Sequence, residues 1–158
     1  MDGQASSLTK GNAMGKISLG RVVLGGIAAA FIWWVLEFLV HGVVLGTEWE
    51  AAMLALGRSV EQQRANMGNF MMIVTVWCVI AGILGVWMYA AIRPRFGKGP
   101  KTAVIAGIAL WAALYLEPSL VDRGMGLWPA NLTILPAVTS LFESILATVV
   151  GAWLYKEA

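Results

Sequence analysis

Four apolar stretches, at residues 21–45, 70–92, 102–120 and 132–155, run on with few charges between polar connections. A helix needs about 20 residues to cross a hydrocarbon layer of about 30 Å, and the four stretches meet that length or come close to it. The third is the shortest, with Glu117-Pro118 near its end. Residues 47–65 follow a different rule. Trp49, Met53, Leu56 and Val60 recur at i, i+4, i+7 and i+11, while Glu48, Arg58, Glu61, Gln62 and Arg64 lie off that stripe. The period predicts an amphipathic helix lying at the interface, too polar to span lipid. Thr47 followed by Glu50 has the spacing of a capping box and would start it. The pattern predicts an all-α membrane protein: a bundle of four transmembrane helices plus one interfacial helix between the first and second spans.

Residues 1–18 are polar and glycine-rich, without an apolar period, and read as a flexible tail. Lys10, Lys16 and Arg21 precede an apolar run containing Ala28-Ala29-Ala30, which imitates a cleavable signal. The run continues to Leu45, well past the ~7–15 residues of such a signal, so a retained first span is expected. The 19–158 portion then forms a single domain.

Composition agrees with the pattern. Of 158 residues, 59% are hydrophobic and 13% charged, against about 25% charged in a soluble domain. A net charge of +2 with no basic-aromatic stretch gives no reason to expect nucleic acid as a partner. The single cysteine, Cys78, sits among apolar neighbours and reads as a packing residue; chemistry needing a cysteine pair within the chain is excluded. Basic residues are biased to one side. Lys10, Lys16 and Arg21, then Arg93, Arg95, Lys98 and Lys101, then Lys156 oppose Arg58, Arg64 and Arg123. The bias predicts both termini in the cytoplasm, and the cell inner membrane as the location.

Each span carries small residues at i, i+4: Gly26/Ala30, Ala81/Gly85, Ala103/Gly107 and Ala147/Gly151. In lipid such pairs let backbones approach closely and drive helix association. They suit packing within the bundle, with a second copy, or with a larger membrane complex.

Chemistry can reside only in the ionisable groups of the spans, since a charge in hydrocarbon costs several kcal/mol unless it is offset. Glu37 and His41 share a helix face about 6 Å apart. Glu117 ends the third span, and Glu143 sits halfway along the fourth, one turn from Thr139 and Ser140. If the helices face one another, Glu37, His41, Glu117, Glu143 and Ser140 form one buried polar site in the outer half of the bundle. The blander alternative has equal weight: Glu37 and His41 bond each other, Glu117 reaches water, and Glu143 bonds Ser140 or a carbonyl. The sharper readings are a proton-coupled carrier using Glu143 or Glu37 in a cavity lined by Trp33, Trp34 and Trp111, a metal site of Glu37, His41 and Glu117, and a haem or chlorophyll ligand at His41. One histidine with carboxylates is a poor metal signature, leaving the metal undetermined, and no cofactor is expected. Hydrolysis lacks both a G-x-S-x-G motif and a second histidine. Most of the eight tryptophans are expected as interface anchors or bundle packing, and Met71-Met72 as core.

The order of elements resembles a family of small bacterial four-span membrane proteins: a span ending in FLVHGVVLG, a tryptophan-bearing amphipathic helix, a second span, a basic turn, a span with GIALWAALYLEP and a last span with VGAWLY. The resemblance covers most of residues 20–155 and implies an architecture, with no activity attached. Short length and Glu37 in the first span also resemble the small multidrug exporters, from which the surface helix and longer loops depart. The expected function is a non-enzymatic accessory or interaction subunit. The alternative is a proton-linked carrier or ligand-binding membrane protein using the buried carboxylates and the histidine.

Overall fold

The computed structural model describes residues 17–155. The polar stretch 1–16 and Lys156 lie outside them. Four helices are long and apolar enough to cross a membrane: α1 (Leu19–Val44), α3 (Val60–Phe96), α4 (Pro100–Met125) and α5 (Asn131–Leu154), with a short helix α2 (Gly46–Ala55) between the first two. Successive spans alternate in direction. One end of the bundle carries α2, and the other carries the turn at Gly97–Gly99, which we call the turn end. Most of the bulky apolar side chains on the spans, including Leu24, Phe31, Ile73, Ile80, Phe142 and Trp153, face outward. That is the surface a bilayer would cover.

The core is made by small residues. All eight glycine and alanine positions expected to pack, Gly26, Ala30, Ala81, Gly85, Ala103, Gly107, Ala147 and Gly151, are buried. A Cβ on Gly82 would collide with the carbonyl oxygen of Gly26 and lie 2.7 Å from the amide of Ala30, so α1 and α3 touch backbone to backbone. Gly25 and Gly151 face each other between α1 and α5, where a Cβ on either would lie 2.5 and 2.7 Å from the other's carbonyl oxygen. Gly107 meets Ser144 and Ile145 in the same manner between α4 and α5, with Ile145 Cα at 2.8 Å. Close backbone approach is how helices associate where apolar burial gives no advantage over lipid.

Three boundaries differ from the sequence expectation. The helix expected over 47–65 ends at Ala55, and Gly57 turns the chain at φ 78°. The residues from Val60 onward belong to α3, which begins with a capping box made by Ser59 and Gln62. Thr47 instead bonds its neighbour Glu48, 2.9 Å away, and α2 starts without a side-chain cap. A Ser-x-x-Gln signal was present and marks the true start. At the turn end, α3 carries Pro94 and continues to Phe96, so the connection shrinks to three residues. Thr102 closes it by donating to the Gly97 carbonyl oxygen at 2.7 Å.

Two spans change their winding near the α2 end. In α1 the segment Phe38–Val44 is π-helical, and in α4 the segment Ala112–Leu116 is too. The wider turn lets one extra residue through before the helix regains its phase, and such turns gather at functional sites.

Candidate functional site

The π-helical segments bring the polar residues together. Glu37 is the last residue before the π turn of α1, His41 lies inside it, and Tyr115 lies inside that of α4. Tyr115 donates its hydroxyl proton to Glu37 Oε1. The same hydroxyl accepts from Trp33 Nε1 at 2.7 Å. On its other side, Glu37 Oε2 meets His41 Nε2 at 3.3 Å. His41 Nδ1 accepts from Trp49 Nε1 of α2 at 3.0 Å. The result is an unbroken chain, Trp33 to Tyr115 to Glu37 to His41 to Trp49, across α1, α4 and α2.

The chain fixes the histidine tautomer. An indole N–H can only donate, so Nδ1 must be bare, and the proton of the neutral ring sits on Nε2, facing the carboxylate. Glu37 thus accepts a hydrogen bond from Tyr115 on one side and faces the His41 N–H on the other. Its side chain is 14% exposed and that of His41 32%, so the histidine is the more accessible member.

Aromatic rings wall the inner part. Trp33 is fully buried, stacks on Tyr115 at 6.1 Å between centroids and meets the edge of Trp77 at 5.7 Å. Trp77 also packs edge-on against Tyr115 at 5.5 Å. Trp49 rests on Trp128, 5.3 Å away, and closes the α2 end. Cys78 is buried, as expected.

Glu143 is the second acid. It is 4% exposed, on the buried face of α5. No other described residue donates a hydrogen bond to it. Ser140 is buried too, but its hydroxyl donates to the Ala137 carbonyl oxygen of its own helix at 3.1 Å, so the expected bond to Glu143 is not made. Ser144 likewise serves its own helix, donating to the Ser140 carbonyl oxygen at 2.6 Å.

Glu117 departs from the expectation. It is exposed and takes no part in the chain. The buried face of α4 passes through Ala103, Ala106, Gly107 and Leu110, and a regular helix would carry it on through 114 to Glu117. The π turn slips that face by one residue, so Tyr115 points inward and Glu117 outward. A metal site of Glu37, His41 and Glu117 loses its third ligand, and no cluster of three ligating groups occurs among the described residues. Two of the tryptophans expected to line a cavity are used otherwise. Trp34 bonds Thr75 at 3.2 Å, and Trp111 donates to the Ala137 carbonyl oxygen at 2.8 Å.

Tyr115 is the residue that sequence reasoning missed. It lies in the quoted string GIALWAALYLEP, four positions after Trp111, and a tyrosine well inside an apolar span needs a partner for its hydroxyl. Comparison with known proteins adds no identity: no known protein family, curated protein or solved structure matches the chain.

Proposed function

We propose that the protein is a proton-linked small-molecule carrier or ligand-binding protein of the bacterial inner membrane, with Glu37 and Glu143 as its exchanging carboxyls. One observation carries this reading: an acid inside a span, Glu37, accepts a hydrogen bond from Tyr115 and lies 3.3 Å from His41 Nε2, while a second acid, Glu143, is buried on α5. Ionisable groups at such depth are costly to keep and mark ion or substrate pathways. The aromatic and histidine partners hold Glu37 in one orientation. Glu143, without a donor of its own, is the acid free to exchange a proton against a substrate. Arg93, Arg95, Lys98 and Lys101 gather at the turn end, which the positive-inside rule assigns to the cytoplasm, so the Glu37 site opens toward the outer face.

The accessory-subunit reading drew on the glycine and alanine faces for packing with a second copy or a partner, and the eight positions named for it are buried within the bundle. A comparative profile of small solutes in cells with and without the protein tests the choice. The wild type should change the accumulation of at least one solute, and a protonophore should erase the change. Glu143→Gln, expressed to the same level, should behave as empty cells do. Identical profiles for the wild type and Glu143→Gln, with the protein recovered inside a larger complex, would end the carrier reading and favour an accessory subunit.

A further inference from the structure

We infer that α2 is a hinged cover over the Glu37 site, held down by the Trp49–His41 hydrogen bond and released when His41 takes a second proton. This rests on the geometry around His41 and deepens the functional reading by adding control of access.

The cover is lightly held. α2 has ten residues, none of them buried. Short elements with little buried surface open at low cost in free energy. Residues outside helical winding bound it on both sides. Leu45, at φ −105° and ψ 8°, joins it to α1, and Gly57 in the left-handed region precedes α3. Leu45 is itself buried and gives the hinge a fixed pivot. The attachment across the site is Trp49, through its N–H to His41 Nδ1, its ring on His41 at 5.8 Å and its edge on Trp128.

The release follows from atom valence. The neutral His41 ring already carries its proton on Nε2, toward Glu37, so the next proton must go to Nδ1. Nδ1–H cannot accept from Trp49, and an indole N–H cannot accept in return. One proton therefore converts an attraction into two opposed donors, while the cation on the imidazole stays paired with Glu37. Toward the α2 end, the ionisable groups on the surrounding elements are Glu37 on α1, Glu48 and Glu50 on α2, Glu61 and Arg64 on α3, Tyr115, Glu117, Asp122 and Arg123 on α4, and Glu143 on α5. The partial exposure of His41 gives the proton a route from the α2 end.

The test places spin labels at Ala55→Cys on α2 and Met125→Cys at the end of α4, in a Cys78→Ala background, with the full chain in lipid nanodiscs. Distances are read at about pH 8 and about pH 5, the interval in which a histidine changes charge. The distribution should be narrow at the higher pH and longer and broader at the lower one. His41→Asn places an amide oxygen near the Nδ1 position, where protons do not remove the acceptor, and should stay narrow throughout. Trp49→Phe should be broad throughout. Hydrogen exchange on the unlabelled wild type gives a second readout. Protection of the 46–55 amides, corrected for the intrinsic rate, should fall at least about tenfold at the lower pH. Unchanged distances and protection in the wild type would overturn the cover, as would His41→Asn opening as the wild type does. An opening that occurs while the solute profiles stay flat would keep the cover and discard the carrier.

Discussion

The two ends of the bundle are built by opposite means. Toward the turn end, α1, α3 and α5 meet through Gly25, Gly82 and Gly151, backbone against backbone, with no room for a methyl group. Toward the α2 end, the spans meet through tryptophan, tyrosine, glutamate and histidine, and two of them abandon α-helical winding to do so. Tight backbone contact leaves one arrangement and no freedom. Side chains joined by hydrogen bonds can exchange partners, protons or positions at a cost of a few kcal/mol. The difference separates the part that holds the fold from the part that can act.

The largest effect should come from the rigid end. Gly82→Leu places a side chain against the Gly26 carbonyl and the Ala30 amide, neither of which can move without shifting a helix. Destabilisation of about 3 kcal/mol or more is expected, seen as loss of a monodisperse peak in detergent chromatography. A well-behaved Gly82→Leu protein would refute the backbone contact.

Next comes the polar end. Tyr115→Phe leaves the buried Trp33 N–H without an acceptor and Glu37 without its tyrosine donor, a loss of about 1–3 kcal/mol. The protein should still fold, melt at a lower temperature and lose the solute phenotype. If it keeps that phenotype at wild-type expression, Tyr115 does not serve the site.

Gly85→Ala refines the contrast, because the added Cβ would meet only side-chain atoms, Thr148 Oγ1 at 3.0 Å and Leu110 Cδ2 at 3.3 Å. Those atoms can rotate away, and a cost of about 1 kcal/mol is expected from thermal unfolding. Glu117→Gln should be smallest, within about 0.5 kcal/mol and without functional change, since the side chain is exposed. A strong phenotype there would return Glu117 to the site.

The sequence revealed the spans because apolar length is a local property, and it revealed the packing residues because glycine and alanine at i, i+4 have few other uses in lipid. It also paired Glu37 with His41, whose spacing survives the π turn that follows Glu37. What it concealed was phase. A helical wheel drawn through α4 turns Glu117 inward and gives Tyr115 no role, and the one-residue slip at Ala112–Leu116 reverses both. Hydrophobic periodicity carries little trace of such a slip, because every residue from Ala112 to Leu116 is apolar or aromatic. The surface helix was overextended for a related reason. The stripe from Trp49 to Val60 persists across Gly57, where the backbone turns, so the period alone did not register the break.

The length of α3 has a mechanical outcome. Thirty-seven residues at 1.5 Å each make a rod of about 55 Å, nearly twice the depth of an oily layer of about 30 Å. Its polar beginning, from Val60 to Asn69, is the part that an upright span would lift into water, like a mast above a deck. Such a mast would hold one end of the α2 helix aloft while the buried Leu45 ties the other to the bundle, so a protease or an antibody approaching from that side would reach the rigging first.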